Sequence, residues 1–365
     1  MLKIVLVGCG KIADAHVEAI QTNPAVRLTA VCDVEKLMAE QLAMRYGVAG
    51  FYDNFDRMLE AEQPDVVHIA TPPHAHLTLG LRALQAGAHL FVEKPLALSH
   101  ENAQTLLQAA IEAGKLVTVG YINNFDPVAF ELSKIVDSGT IGDPVHVETF
   151  LGYNLKGDFG TAILVDPNHW VHRLPGKIFH NNIDHLLNKL PRFIPDDRPE
   201  ISAHAFQRGP QGVDLADELR VTILGRKVSA YATFSANIRP MGHFLRIYGT
   251  RHSVHVDFAA RTVVLEPEQT IPTPFGRLLP GFVQAFRYSR AAAANTRRFL
   301  RYEFHFFQGL RTLLDAFYTS ILTGGTPPIP YREILQVAAW MDEIFAQIRP
   351  LNPGVGNEGV LNARS

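Results

Sequence analysis

Cysteine is nearly absent from the sequence. Two residues, Cys9 and Cys32, stand among 365. That excludes a disulfide scaffold and fits a reducing cytoplasm, with both thiols buried and free. No apolar run reaches the roughly 18 residues of a membrane span, so no integral membrane segment is expected. Charge of one sign is lacking as well. Thirty-four Lys and Arg against 36 Asp and Glu leave −2, so no global field recruits nucleic acid. There is no internal repeat. A hydrophobic fraction of 47% and a charged fraction of 19% suit a globular protein, and the length suits two domains. Met1–Val7 is too short for a signal-peptide core and runs into a glycine turn, so it reads as a first strand.

The first 120 residues alternate strand-like and helix-like segments. Strands are expected at Ile4–Val7, Leu28–Cys32, Val66–Ala70, Leu90–Val92 and Leu116–Val119. Helices are expected at Ile12–Gln21, Glu35–Tyr46, Ala75–Ala86 and Glu101–Ala113. This alternation predicts a doubly wound parallel sheet, a Rossmann domain over residues 1–121. Residues 122–349 then form an α+β domain with an open, mostly antiparallel sheet. Its strand signals are Val145–Phe150, Glu218–Leu224, Val228–Ser235, Phe244–Tyr248 and Ser253–Phe258. Helices are expected at Val128–Val136, Ile178–Leu190, Phe282–Ala294, Thr296–Leu322 and Arg332–Ile348. Residues 350–365 read as a loose tail.

Gly8-Cys9-Gly10-Lys11-Ile12-Ala13 fits G-x-G-x-x-A. Gly8 permits the tight turn, Gly10 lets the backbone approach a pyrophosphate, and Ala13 lets the helix pack near the sheet. The context, after a strand and opening a helix, supports dinucleotide binding. Asp33 lies 25 residues after Gly8. It suits ribose hydroxyls and favours NAD over NADP, and it also suits a helix N-cap.

Further motifs follow in order: Thr71-Pro72-Pro73-His74-Ala75-His76, then Ala83–His89 leading to Glu93-Lys94-Pro95, then Val119-Gly120-Tyr121 before Phe125-Asp126-Pro127. This series resembles the glucose–fructose oxidoreductase / inositol dehydrogenase (Gfo/Idh/MocA) family, well over residues 1–150 and more loosely beyond. The resemblance implies an active site between the two domains. It implies oxidation or reduction of a carbinol on a sugar, nucleotide sugar or polyol, and a homodimer or homotetramer. Thr71, Pro72, His76, Glu93 and Lys94 then join Gly8–Ile12 and Asp33 on the cofactor side. Lys94 looks like the group that bonds the reacting oxygen.

Leu174-Pro175-Gly176-Lys177 resembles the family's L-P-G-G start of a helix. Asn181 and His185 then fill its Asp/Asn and His positions, four residues apart on one face. His185 is expected as general acid/base because imidazole titrates near neutrality. Asn181 stands where many members carry Asp, Lys177 replaces a glycine, and Asn123-Asn124 stand where many carry Arg. An alternative register on Ile183-Asp184 would place Asn181 in the His slot. Tyr121, Asn123, His169, Trp170 and Arg173 are expected to line the substrate pocket, with loop packing as the alternative for the last three. The spacing of His169, His172, His180 and His185 is too loose for a metal site.

Arg277–Arg311 interleaves arginines with phenylalanines. A solvated helical face, a subunit interface and peripheral contact with an anionic membrane surface are its open readings. For the whole chain, an NAD-dependent glycosidase acting by transient oxidation and a non-catalytic dinucleotide sensor stand beside the dehydrogenase.

Overall fold

The structure is a computed structural model. It describes residues 1–155, 158–166, 168–208, 216–267, 275–301 and 307–348. The expected tail at 350–365 lies outside the described residues.

Six strands form the first sheet: β1 (Leu2–Val7), β2 (Val26–Cys32), β3 (Gly50–Tyr52), β4 (Val66–Ile69), β5 (His89–Val92) and β6 (Val117–Val119). All neighbours are parallel, in the order β3-β2-β1-β4-β5-β6. β1, β4, β5 and β6 are largely apolar and buried on both faces, as a helix-covered parallel sheet requires. The helices between them are α1 (Ala13–Gln21), α2 (Lys36–Tyr46), α3 (Phe55–Glu62), α4 (His76–Gln85) and α5 (His100–Glu112). Reversal of strand order at β1 and β4 creates the crevice in which such sheets bind ligands. β3 and α3 carry too little periodicity to stand out in sequence. The side chain of Asn54, which accepts from Arg57 N–H, marks the start of α3.

After α6 (Pro127–Asp137), which Asp126 caps, come β7 (Pro144–Asn154), α7 (Asp158–Val165), α8 (Ile178–Asn182) and α9 (Asp184–Leu187). They are followed by β8 (Glu200–Phe206), β9 (Glu218–Leu224), β10 (Ser229–Ser235), β11 (Asn237–Gly249), β12 (His252–Asp257) and β13 (Thr262–Pro267). The seven strands run in the order β13-β12-β11-β7-β10-β9-β8, antiparallel except for the β7–β10 pair. β8 and β13 are additions to the expected strands.

Three helices close the described chain: α10 (Phe275–Leu300), α11 (Gln308–Thr323) and α12 (Tyr331–Gln347). Two helix expectations need correction. Residues 178–190 form two short helices, with Ile183 between them still in the helical region. The expected helix Thr296–Leu322 is also wrong: α10 runs on through Asn295 to Leu300, and α11 starts anew at Gln308. α11 and α12 return to the parallel sheet and pack on α1 and α5. Asp342 accepts from His100 N–H at 2.8 Å, and Tyr331 Oη accepts from Val117 N–H at 2.9 Å. Buried Phe317, Tyr318 and Trp340 fill the seam.

Candidate active site

At the carboxyl edge of the parallel sheet the ladder continues past the strands. Ala70 N–H donates to Val7, Glu93 N–H to Ile69 and Gly120 N–H to Val92. Gly8, Ala70, Glu93 and Gly120 are thereby set side by side. Gly8 has φ +96°, and a Cβ there would lie 2.6 Å from the Ala70 backbone, so glycine is required twice over. Around Gly10 nothing lies within 4 Å of a would-be Cβ. The turn is tight on its protein side and open on the other, the shape a pyrophosphate at the start of α1 needs. Lys11 is exposed and Ile12 partly so.

Asp33 Oδ2 accepts from Cys9 N–H at 2.7 Å, and Oδ1 accepts from Glu35 N–H at 3.0 Å. One carboxylate thus orients the turn and starts the approach to α2, and each oxygen keeps a lone pair for a hydroxyl donor. The Cys9 side chain is buried rather than ligand-facing. Burial, with Asp33 and then Cys32 beside it, pushes its thiol up to about 12. Pro72 leads into the short turn Pro73–Ala75, and the buried Thr71 hydroxyl has no partner among the described residues. His76 needs correction as a cofactor contact. It is fully buried, with Nε2 2.8 Å from Thr71 O and Nδ1 3.0 Å from Pro95 O. Burial keeps the ring neutral, so one nitrogen donates to one of these carbonyls and the ring is packed between the two edge loops.

Glu93 is held from behind by a buried row of rings. Its Oε1 lies 3.0 Å from His16 Nε2, His16 Nδ1 lies 3.1 Å from His68 Nδ1, and His68 Nε2 lies 2.8 Å from the Tyr318 hydroxyl. An ionised carboxylate only accepts, which fixes every hydrogen when each ring carries one: Tyr318 donates to His68, His68 to His16, and His16 to Glu93. Burial pushes the Glu93 carboxyl up, but the His16 hydrogen bond and Lys94 outweigh it and hold it low. Burial and then His16 hold the His68 ring well below its ordinary value, hence neutral. A Cβ at Gly120 would lie 3.1 Å from both Glu93 oxygens, so glycine there leaves the carboxylate its place. Nothing local in the sequence announces this row, which joins residues 250 positions apart.

Lys94 crosses to the second domain. Its Nζ donates to Asn181 O at 2.8 Å and approaches Asn181 Oδ1 at 3.4 Å. His185 lies one turn further along, its Nδ1 3.4 Å from Asn123 Nδ2. The expected trio of Lys94, Asn181 and His185 is therefore brought together, with Asn123 behind it. One expectation changes: burial, then the charges of Lys94, Lys189 and His243, push the His185 imidazole well below neutrality. It is a neutral ring, not one poised at pH 7.

Three neighbours escaped the sequence reading. Asp184 is fully buried, and its carboxylate meets no side-chain donor among the described residues. Burial raises it to about 6, against the pull of Lys94, the His185 backbone N–H and Lys189. Lys189 is buried 4.9 Å from the centre of the Phe258 ring and donates to His185 O. Burial lowers it to about 7, opposed by Asp184. His243, from β11, stacks on Phe258 at 4.7 Å, and its ring centre is 6.4 Å from that of His185. The four-residue spacing from His185 to Lys189 could have revealed Lys189. His243 had no such signal.

Tyr121 is 4% exposed and packs into the core. His169, Trp170 and Arg173 make local contacts: His169 accepts from Val171 N–H and packs on Trp170, and Arg173 donates to Asn168 O. Their described partners are those of a packed loop. Lys177, in the place of the family's glycine, has φ +48°.

Comparison with known proteins agrees with this architecture. Residues 2–121 match the model of the GFO_IDH_MocA oxidoreductase family, NAD-binding Rossmann fold. The chain is 34% identical over 149 residues to D-glucoside 3-dehydrogenase of Escherichia coli (strain K12), covering 40% of this chain and 42% of that protein. It is 30% identical over 208 residues to inositol 2-dehydrogenase of Rubrobacter xylanophilus, covering 56% of each. The chain thus spans about half the length of these curated relatives. The WlbA dehydrogenase from Bordetella pertussis, solved with NADH and UDP-GlcNAcA, shares the fold at a TM-score of 0.77 and 20% identity, over 96% of this chain and 98% of that one. The family match thus covers residues 2–121, the parallel-sheet domain that carries the Gly8–Ile12 turn and Lys94.

Proposed function

We propose that the protein is an NAD-dependent oxidoreductase that moves a hydride between the nicotinamide and a carbinol or carbonyl carbon of a sugar, nucleotide sugar or polyol. The observation that carries this reading is the Lys94 ammonium, held 2.8 Å from Asn181 O at the sheet edge that also carries the Gly8–Ile12 turn. The open face of Gly10, the free lone pairs of Asp33 and the start of α1 suit a dinucleotide, with residues 1–121 as its domain and 122–349 as the substrate side. When bound, NAD supplies the hydride acceptor.

Lys94 donates to the reacting oxygen and stabilises its alkoxide character. His185, a neutral ring, takes the hydroxyl proton on Nε2 when the Asn123 amide presents its oxygen to Nδ1–H. The opposite amide orientation gives the other tautomer. Asn181 orients a neighbouring hydroxyl. NAD is preferred to NADP because a carboxylate at Asp33 repels a 2′-phosphate. Two buried free cysteines fit a cytoplasmic location. Val145 and Tyr231, about half exposed on the second sheet, fit pairing of subunits into a dimer or tetramer.

Thermal shift with NAD, NADP and a panel of sugars and nucleotide sugars tests the reading, since stabilisation grows with ligand concentration over Kd. The expected result is stabilisation by NAD at lower concentration than by NADP, and net NADH formation with one substrate class. NAD binding without net NADH formation across the panel would favour the glycosidase or the sensor.

A further inference from the structure

α10 has no part in the site described above. Its 26 residues span about 39 Å, and its described bonds to the body follow one stripe. Arg287 donates to Leu265 O, Asn295 to Ala260 O and Arg261 O, and Arg298 pairs with Glu131. The rest faces solvent, including large apolar groups: Phe282 is 68% exposed, Phe286 64% and Leu300 71%. At 3.6 residues per turn, Leu278, Leu279, Phe282, Val283 and Phe286 fall within one sector of about 140°. An apolar face of this size is left in water only where something covers it.

The charge on the helix narrows what that cover is. Phe275–Leu300 contains five arginines and neither Asp nor Glu, in a chain whose net charge is −2. The Arg290 and Arg297 side chains have no hydrogen-bond or ion-pair partner among the described residues. Between α10 and β13 lies a cavity of about 390 Å³ bordered by Arg261, Arg287, Arg290 and Arg298, with Val263 and Leu265 in its wall. Its one acid, Glu131, already pairs with Arg298. Unneutralised guanidinium groups, a basic cavity with an apolar wall, and phenylalanines along the same helix fit a partner that presents anions over an apolar layer. A two-fold copy would set the same arginine-rich face against itself.

We propose that α10 is a peripheral docking surface for membranes rich in acidic phospholipid. Its phenylalanines enter the headgroup boundary, and the arginine-lined cavity takes a lipid phosphate. Among the described residues no helix is long and apolar enough to cross a membrane, so the contact is in-plane.

Sedimentation of the full chain with phosphatidylglycerol or phosphatidylcholine vesicles tests this. Binding to phosphatidylglycerol is expected at about 50 mM salt, falling steeply toward 500 mM, with binding to phosphatidylcholine about tenfold weaker or less. Phe282→Ser with Phe286→Ser, and separately Arg290→Glu with Arg297→Glu, should each reduce binding about tenfold or more while NAD affinity and elution volume stay unchanged. Four results would overturn the proposal: no binding to phosphatidylglycerol, equal binding to both lipids, full release by millimolar inorganic phosphate, or variants that change subunit number and leave vesicle binding intact.

Discussion

The Gly8–Ile12 turn and the Lys177–Lys189 segment face each other's domains across the Lys94–Asn181 contact, yet they are built on opposite terms. In the first, every demanding position holds a residue that meets the demand. Gly8 sits at φ +96°, Gly10 opens onto free space, and Asp33 satisfies two backbone N–H groups. In the second, demands are left standing. Lys177 occupies a positive φ, Asp184 is buried without a side-chain donor, and Lys189 is buried with its ammonium pushed toward neutrality. A surface that must cradle the same cofactor in many proteins can be local and relaxed. A surface that chooses a substrate concentrates ionisable groups away from water, where small differences in a ligand's polarity weigh heavily.

The difference can be broken from either side. Behind the catalytic pair itself, the larger effect belongs to Glu93's supports. Gly120→Ala forces its Cβ toward the Glu93 carboxylate, 3.1 Å away. It is expected to lower kcat by about tenfold or more, of the order seen when a positioned catalytic group is displaced, with the fold retained by circular dichroism. Next, Tyr318→Phe leaves the buried His68 Nε2 without its donor and should cost about 1–3 kcal/mol in urea unfolding.

The buried pair on the substrate side should give a pH signature. Asp184 is raised from 3.8 to about 6 in the fold. Its contribution to stability is full below pH 3.8 and is lost as pH rises through about 6. Lys189 is lowered from 10.5 to about 7. Its contribution is full above pH 10.5 and is lost as pH falls through about 7. Both groups are charged against the fold's preference between pH 6 and 7. Asp184→Asn should flatten the fall between pH 4 and 6 in a denaturation-midpoint profile and move the Lys189 limb to lower pH. An unchanged profile would mean that Asp184 is solvated. The smallest effect is Lys177→Gly. Relief of the positive φ should raise stability by about 1 kcal/mol, read as a higher Tm at unchanged turnover.

The same contrast explains what was legible in the sequence. The parallel sheet and its turn are written in short-range patterns: β-branched runs, two glycines, a carboxylate after the second strand. Lys94, Asn181 and His185 could be placed because family spacing marks them. Their electrostatic setting could not, because it depends on burial and on Lys189 and His243 arriving from elsewhere. His76 shows the reverse error. A histidine in a motif was given to the cofactor, while the fold buries its ring between backbone carbonyls of two edge loops. The break between α10 and α11 was missed because the arginine–phenylalanine pattern runs through it. The row Glu93–His16–His68–Tyr318 was invisible because each member sits in a different element.

The central claim is that Lys94, from the dinucleotide domain, and His185, from the second domain, act together on the substrate's oxygen and proton. Its most direct test is kcat for NADH formation, measured beside NAD affinity, in Lys94→Ala and His185→Ala. Each variant is expected to lose about a hundredfold or more in kcat with NAD affinity within a factor of about two, since the Gly8–Ile12 turn and Asp33 carry most of the dinucleotide's contacts. Near-normal turnover in both variants would contradict it.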